Sequence, residues 1–484
     1  MKYIFQYKYA FFLSALLLGA TACDDITELN VDPNNPTEVP AANLVTQAEY
    51  ELNERLWGRG FNAEWTMLMV QHWSQNEYAE DSRYVASPGF VNNTWTDLYA
   101  NVLSELQAAH QIIENDEEII DEGFRANQLA IVEILTVHAF HNLVDAFGDI
   151  PYTEALDLID HPLPAYDSQE SIYLDLLSRL ETAVNSFTTD SPSFGGTELI
   201  YGGDVTLWRK LGNSLMMRMA MRIVDVDEST AKSYIAKAAD PANGGIISSN
   251  EENALFEFSD DPNIANPLFV DATINNRDDF AVSELLVSTL QDLGDPRLEM
   301  YAAPNNVGVY YGMPYGLTDG EAFALKDTTS RPNPMVRQAT APAVIMDYAE
   351  VKFLEAEAYQ RGILAGDAAA AYAEGIEASM NYWGITDEAA ISDYVAANPY
   401  DAGNWKEPLG WQKWIAFYMN GPQAWAEWRR LDYPQLELPA AATIGSIPVR
   451  LPYPNDEQAR NGASLNAVTD DIGSLTNKLW WDVN

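Results

Sequence analysis

The chain has 484 residues, 47% of them hydrophobic, with 72 acidic against 27 basic side chains and a formal charge of −45. So acidic a surface repels nucleic acid and anionic lipid, and the sequence holds no basic patch to offset it. The hydrophobic fraction is that of a globular body with a large core rather than of a disordered chain.

The first predicted element is a leader. Lys2 and Lys8 precede an apolar stretch at 10–20, and the small residues Ala20, Thr21 and Ala22 run into Cys23, the only cysteine. An apolar stretch of about eleven residues is too short for a bilayer and suits a secretory signal. No other apolar run reads as a membrane span. A secreted chain with one cysteine cannot close an internal disulfide, so acylation of Cys23 as the new N-terminus is expected. The alternative is a secreted protein cut near Ala22 with an incidental thiol. Two or three acyl chains anchor stably, since each buried methylene contributes about 0.8 kcal/mol. The predicted divisions are a signal peptide at 1–22, an acylated strap at 23–40, and a single body at 41–484.

The strap LNVDPNNPTEVP is rich in turn formers. Helical spacing of apolar residues then predicts helices at 41–57, 62–75, 91–115, 123–147, 168–186 and 205–224, with Ser168 and Asp204 as N-caps. Helical hairpins joined by short loops suggest a repeat array. In 348–379, Ala356 and Tyr359 followed by Ala368, Tyr372 and Gly375 fit the small–aromatic spacing of a tetratricopeptide hairpin, against the alternative of two generic packed helices. Gly362 is expected to end the first helix and Asp367 to cap the second. Lys352 and Glu355 replace the pattern's leading Trp and Leu, so the repeat is degenerate. Between about 241 and 340, clusters of Gly, Pro, Asn and Asp predict an irregular region with a helix only at 281–293. Two helices follow from Leu409, punctuated by Gly421-Pro422, where the proline suits a first helical turn. The fold class is mainly α: tetratricopeptide-like hairpins packed against a loop-rich irregular region.

Five stretches, FGDIPYTEA (147–155), DYAEVKFLEAEAYQRG (347–362), WQKWIAFYMNGPQAWAEWRRLDYP (411–434), IPVRLPYPNDEQARN (447–461) and the terminal TNKLWWDVN, resemble the SusD/RagB family of nutrient-binding outer-membrane lipoproteins. The order of these matches, with the strap, extends the resemblance over the whole mature chain. Asp24 to Glu28 resembles the acidic export tag of Bacteroidetes lipoproteins facing the cell exterior. The resemblance implies tetratricopeptide-like hairpins, a lipid-anchored location at the outer membrane, and a SusC-like TonB-dependent transporter as partner. It implies oligosaccharide cargo or, in some members, peptide. A structural lid without ligand selectivity is a further reading.

No catalytic motif is present: the chain lacks GxSxG, HExxH, a Walker loop and paired CxxC. Among 72 acids any glycosidase-like pair could be picked by chance. His138 and His141, at i and i+3, could share a face, though buried imidazoles bonded to neighbours are the expectation, with no metal and no cofactor. The loops at 31–38 and 259–263 offer oxygens to calcium but lack the spacing of a calcium loop, so ordinary Asx turns are expected. Aromatic stacking is what remains. A sugar ring presents C–H groups to an indole or phenol while polar side chains bond its hydroxyls. Two stretches offer this: Trp73, Asn76, Tyr78, Arg83 and Tyr84 in an early segment expected to emerge as a loop, and Tyr310, Tyr311 and Tyr315 in the middle region. Core packing is the competing reading for each aromatic, and the preferred one for Trp95, Trp208, Trp414, Trp425 and Trp428. Trp480 and Trp481 are expected to plug the body.

Overall fold

A computed structural model describes residues 39–484; the leader, Cys23 and nearly all of the strap lie outside the described residues. Helices dominate. Helix α1 (Ala41–Trp57) matches its predicted bounds and buries Val45, Ala48, Leu52 and Leu56 on one side. A wide-turned helix, Arg59–Thr66, continues through Met67–Met69 and ends there. The predicted extension to residue 75 is corrected: Trp73–Gln75 is a strand, β1. Gln71 breaks the helix with φ +57, and the three residues pair with a segment about two hundred positions later in the chain, which local spacing cannot reveal.

Pro88–Thr96, Asp97–Leu103 and Ser104–Asn115 run on as one helix, α2, whose middle is π-turned. Helix α3 (Glu122–Phe147) is capped by Asp121, whose carboxylate accepts from Gly123 and Phe124 N–H at 2.9 and 3.2 Å. It is long and apolar enough to cross a membrane, with a mean hydropathy of 1.3, yet its most apolar window is 83% buried within the body, as in a core helix. After the short pair β2 (Ile150–Pro151) and β3 (Tyr166–Asp167) come α4 (Gln169–Ser186), α5 (Val205–Arg222) and α6 (Glu228–Ala238). Ser168 and Asp204 cap α4 and α5 as read from sequence. Consecutive helices from α2 to α6 pack on one another, each against the next.

The middle region is irregular but not unstructured. It carries β4 (Ala254–Phe256), β5 (Phe280–Val282), α7 (Glu284–Asp292) and α8 (Asp319–Leu325). Two antiparallel pairs bind it to the helices: β5 with β1, and β4 with β6 (Ala343–Met346). Helices α9 (Tyr348–Gln360), α10 (Ala368–Tyr382), α11 (Glu388–Ala397), α12 (Lys406–Ala416) and α13 (Gly421–Leu431) follow.

The α9–α10 hairpin shows why its sequence pattern matters. A Cβ on Gly375 would lie 2.7 Å from the Phe353 ring, so the small residue sets the helix spacing. Gly362 takes φ +66 just past α9, and Asp367 caps α10 through Ala369 and Ala370 N–H. Behind the hairpin a buried ion lattice joins four helices. Arg218 on α5 meets Glu350 on α9 at 2.6 Å; Arg430 on α13 meets Glu357 on α9 at 2.5 Å; Glu427 on α13 takes Arg222 and Lys413 at 2.7 and 2.6 Å. Burial raises the Glu357 carboxyl, but Arg430, Arg361 and Lys413 outweigh it and hold the group down at about 2. Trp481 is buried, and its indole N–H donates to Asp145 at 3.0 Å, closing the C-terminus onto α3.

Candidate functional site

The β1–β5 ladder aligns Trp73 with Val282 and Gln75 with Phe280, and Asn76 N–H extends it to the Asp279 carbonyl at 2.8 Å. Two loops leave this ladder at the same end. The first, 76–84, is closed on itself: the Gln75 side chain accepts from Ser82 N–H at 2.9 Å and donates to Asp81 at 2.8 Å. Ala79 N–H donates to Asp319 of α8 at 2.7 Å, holding the outer side of the loop. The second, 270–279, starts as a wide helical turn at Val270–Ile274 and then enters β5. Between the loops lies a cavity of about 690 Å³ whose wall includes Arg59, Glu77, Tyr78, Asn276, Arg277 and Lys326.

The cavity has a distinctive backbone. Tyr78 and Asn276 face it from opposite loops, each with φ +52. Asparagine tolerates the left-handed region, but a tyrosine there is strained and is held only by its surroundings. The Tyr78 ring is 64% exposed, and the Arg277 guanidinium sits 5.4 Å from its centroid. One face of the ring is therefore taken by the cation and the other is free.

Charge in the wall is internally matched. Arg59 meets Glu64 at 2.5 Å, Asp271 at 2.7 Å and Asp279 at 2.6 Å, crossing from the first helices to the second loop. Arg277 also reaches Asp279 at 2.6 Å, and Lys326 reaches Glu77 at 2.9 Å. The Asn275 and Asn276 side chains are exposed and make no hydrogen bond among the described residues. Below the loop, burial pushes the Asp81 carboxyl up to about 7 against the opposing bond from Gln75. A phenol face, a guanidinium, two unbonded amides and carboxylates can together stack and hydrogen-bond a polyhydroxylated ligand.

Of the eight predicted contact residues, the structure brings Tyr78 alone to this cavity. Trp73 was expected on an emerging loop; that is corrected. Its ring is 1% exposed, packed 5.4 Å from Phe280, and its N–H donates to Tyr418 at 2.9 Å, so no face remains for a sugar. Asn76 is fully buried, and neither polar atom of its side chain has a partner among the described residues. Arg83 folds back to donate to the Ala79 carbonyl at 3.2 Å. Tyr84 is buried with its ring 6.3 Å from that of Tyr315, whose hydroxyl is also buried, and burial drives the Tyr315 hydroxyl well above its ordinary range. Tyr311 is 45% exposed and pairs its backbone with Ser330, while the Tyr310 carbonyl accepts from Gln291 at 3.2 Å. Neither lines the cavity.

The middle region does contribute the opposite wall, but through Asn275, Asn276 and Arg277 rather than through its tyrosines. The run INNRDDF carried the available signal: paired asparagines at a turn, then clustered charge, then a buried aromatic. Arg59 and Lys326 offered none.

His138 and His141 are buried on α3, with His141 3.2 Å from Asp145, and the described residues contain no cluster of three or more potential metal ligands. In the loop at 259–263, Asp261 accepts from Asn263 N–H at 3.0 Å, an Asx turn.

Residues 33–454 match the model of a SusD-like family described as "Starch-binding associating with outer membrane". A structure named as a chitin-binding protein superposes with a TM-score of 0.81 at 29% identity, covering 92% of this chain and all of that one. A chitin-binding SusD homologue from Flavobacterium johnsoniae (23% identity, TM-score 0.78, 91% of this chain and 99% of that one) shares the fold. So does a SusD homologue from Bacteroides uniformis (23%, 0.78, 91% and 99%). No curated protein matches. With the family model spanning most of its length and its helical hairpins superposing on those solved folds, the chain belongs to the SusD-like family.

Proposed function

We propose that this protein is a binding protein without catalytic turnover, which captures oligosaccharides in the Tyr78 cleft and delivers them to a SusC-like TonB-dependent transporter. In this reading acylated Cys23 holds it at the outer membrane, facing the cell exterior. The observation that carries the binding reading is the cleft itself: an exposed phenol backed by Arg277, with the Asn275 and Asn276 amides uncommitted opposite. Membership of a family described as starch-binding, and likeness to proteins named as chitin-binding, favour glycan over peptide. The cleft is lined mostly by charged and amide side chains that compete with water for a ligand, so micromolar or weaker affinity is expected, about −8 kcal/mol at most.

The test is isothermal titration of the mature protein, with Cys23 replaced, against chitin and starch oligosaccharides and peptide pools. Covering one face of a tyrosine ring removes some 80 Å² of apolar surface from water, worth about 2 kcal/mol. Tyr78→Ala should therefore weaken a glycan ligand about 10- to 30-fold without changing thermal stability. Binding of peptides alone, or glycan binding indifferent to Tyr78, would overturn the proposal. Retention of a Cys23→Ser variant in the membrane fraction would remove the anchor from it.

A further inference from the structure

We propose that a second cleft, built on Trp411, is another saccharide-contact site, selective for neutral or amine-bearing sugars. The proposal rests on the glycan reading of the Tyr78 cleft but on a different part of the molecule. A cavity of about 540 Å³ lies where the C-terminal end of α7, helix α10, the α11–α12 connection and α12 meet. Trp411 is half-buried there. It meets Trp414 with ring planes at 88° and centroids 5.6 Å apart, and no aromatic lies parallel to it among the described residues. Its indole N–H makes no hydrogen bond among the described residues, whereas that of its neighbour Trp414 donates to the Val70 carbonyl. An indole with a partly exposed ring and a free donor in a concave site is suited to a sugar ring and one of its oxygens.

The rest of the lining supplies acceptors. Asp292, Asp401 and Glu407 are exposed carboxylates, and Asn398 and Asn404 bring amides whose oxygens accept nothing among the described residues. No lysine or arginine lines this cleft, whereas the Tyr78 cleft holds Arg59, Arg277 and Lys326. An acceptor-rich, cation-free wall favours ligands that donate, through hydroxyl or ammonium groups, and repels uronate or sulfate.

The floor is rigid. Gln412 accepts from Arg297 at 3.0 Å and donates to the Tyr394 hydroxyl at 2.9 Å, while Arg297 is paired with Asp295 at 2.6 Å, all buried. A ligand meets a site already in place, which lowers the ordering cost of binding.

The experiment is calorimetric titration of the mature protein with chitotetraose, with its deacetylated form and with an oligogalacturonate. The wild type is expected to show two classes of site for the first two and none at Trp411 for the third. Trp411→Ala should weaken one class at least tenfold and leave the Tyr78 class intact; Tyr78→Ala should do the reverse. Asn404→Ala, at an exposed position whose side chain bonds Glu407 and nothing in the core, should weaken the Trp411 class about threefold. Titration of Trp411→Ala and Asn404→Ala as wild type, with binding weakened in Tyr78→Ala, overturns this inference and leaves the first cleft standing. A wild type silent toward every sugar overturns both.

Discussion

Arg59 joins the first helices to the wall of the Tyr78 cleft, and its removal should be costly in a way that can be sized. Its three guanidinium nitrogens each meet a different carboxylate within 2.7 Å, while the side chain keeps 19% exposure. At an effective dielectric near 20, one such pair contributes about 4 kcal/mol of attraction. Repulsion among Glu64, Asp271 and Asp279 and the dehydration of the guanidinium offset most of the sum. Breaking a buried pair by removing one partner costs about 3–5 kcal/mol, and partial exposure places Arg59→Met near the low end, about 3 kcal/mol. The assay is urea unfolding followed by circular dichroism at pH 7.5 and 4.5. Burial already raises the Glu64 carboxyl while Arg59 opposes it, so the variant raises it further. A carboxyl raised in the fold loses stability as pH climbs from its unfolded value through its folded one. The deficit should thus be largest at pH 7.5 and shrink at pH 4.5. A loss below about 1 kcal/mol at pH 7.5, or one equal at both pH values, would refute the argument.

Other outcomes follow from single positions. Trp73→Ala should cost about 3–5 kcal/mol in unfolding experiments, as a core deletion does, in contrast to the stability-neutral Tyr78→Ala. Asp81→Asn should stabilise the protein by about 1–2 kcal/mol at pH 8 and hardly at all near pH 4, because the wild-type carboxyl, pushed up to about 7, loses stability as pH rises from its unfolded value toward 7. Chemical denaturation across that range reads the difference directly. Gly375→Ala forces a Cβ to 2.7 Å from the Phe353 ring and should destabilise by about 1–3 kcal/mol, with partial recovery in the Phe353→Leu double variant.

Where local chemistry decides, the sequence was legible. The bounds of α1 and the caps Ser168, Asp204 and Asp367 depend on residues a few positions apart, and the close approach at Gly375 on a partner within the same helical hairpin; each is where spacing places it. Legibility fails where a partner is far along the chain. Trp73 and Tyr78 sit five residues apart in similar polar company, yet one is covered by Phe280 and Tyr418 and the other is exposed. Nothing near Trp73 signals a strand partner beyond residue 279. Arg59 likewise reads as an ordinary helical arginine until Asp271 and Asp279 are brought to it by the fold.

The three-rung ladder between β1 and β5 has a consequence for how such a protein changes over time. Segment 76–84 leaves β1 and 270–279 enters β5, so changes at their tips that spare Asp271 and Asp279, which hold Arg59, leave the register of Trp73 with Val282 untouched. The cleft behaves as an interchangeable cassette mounted on a fixed socket. New cargo could be acquired, or engineered, by grafting two short segments, while the helical hairpins behind them stay as they are.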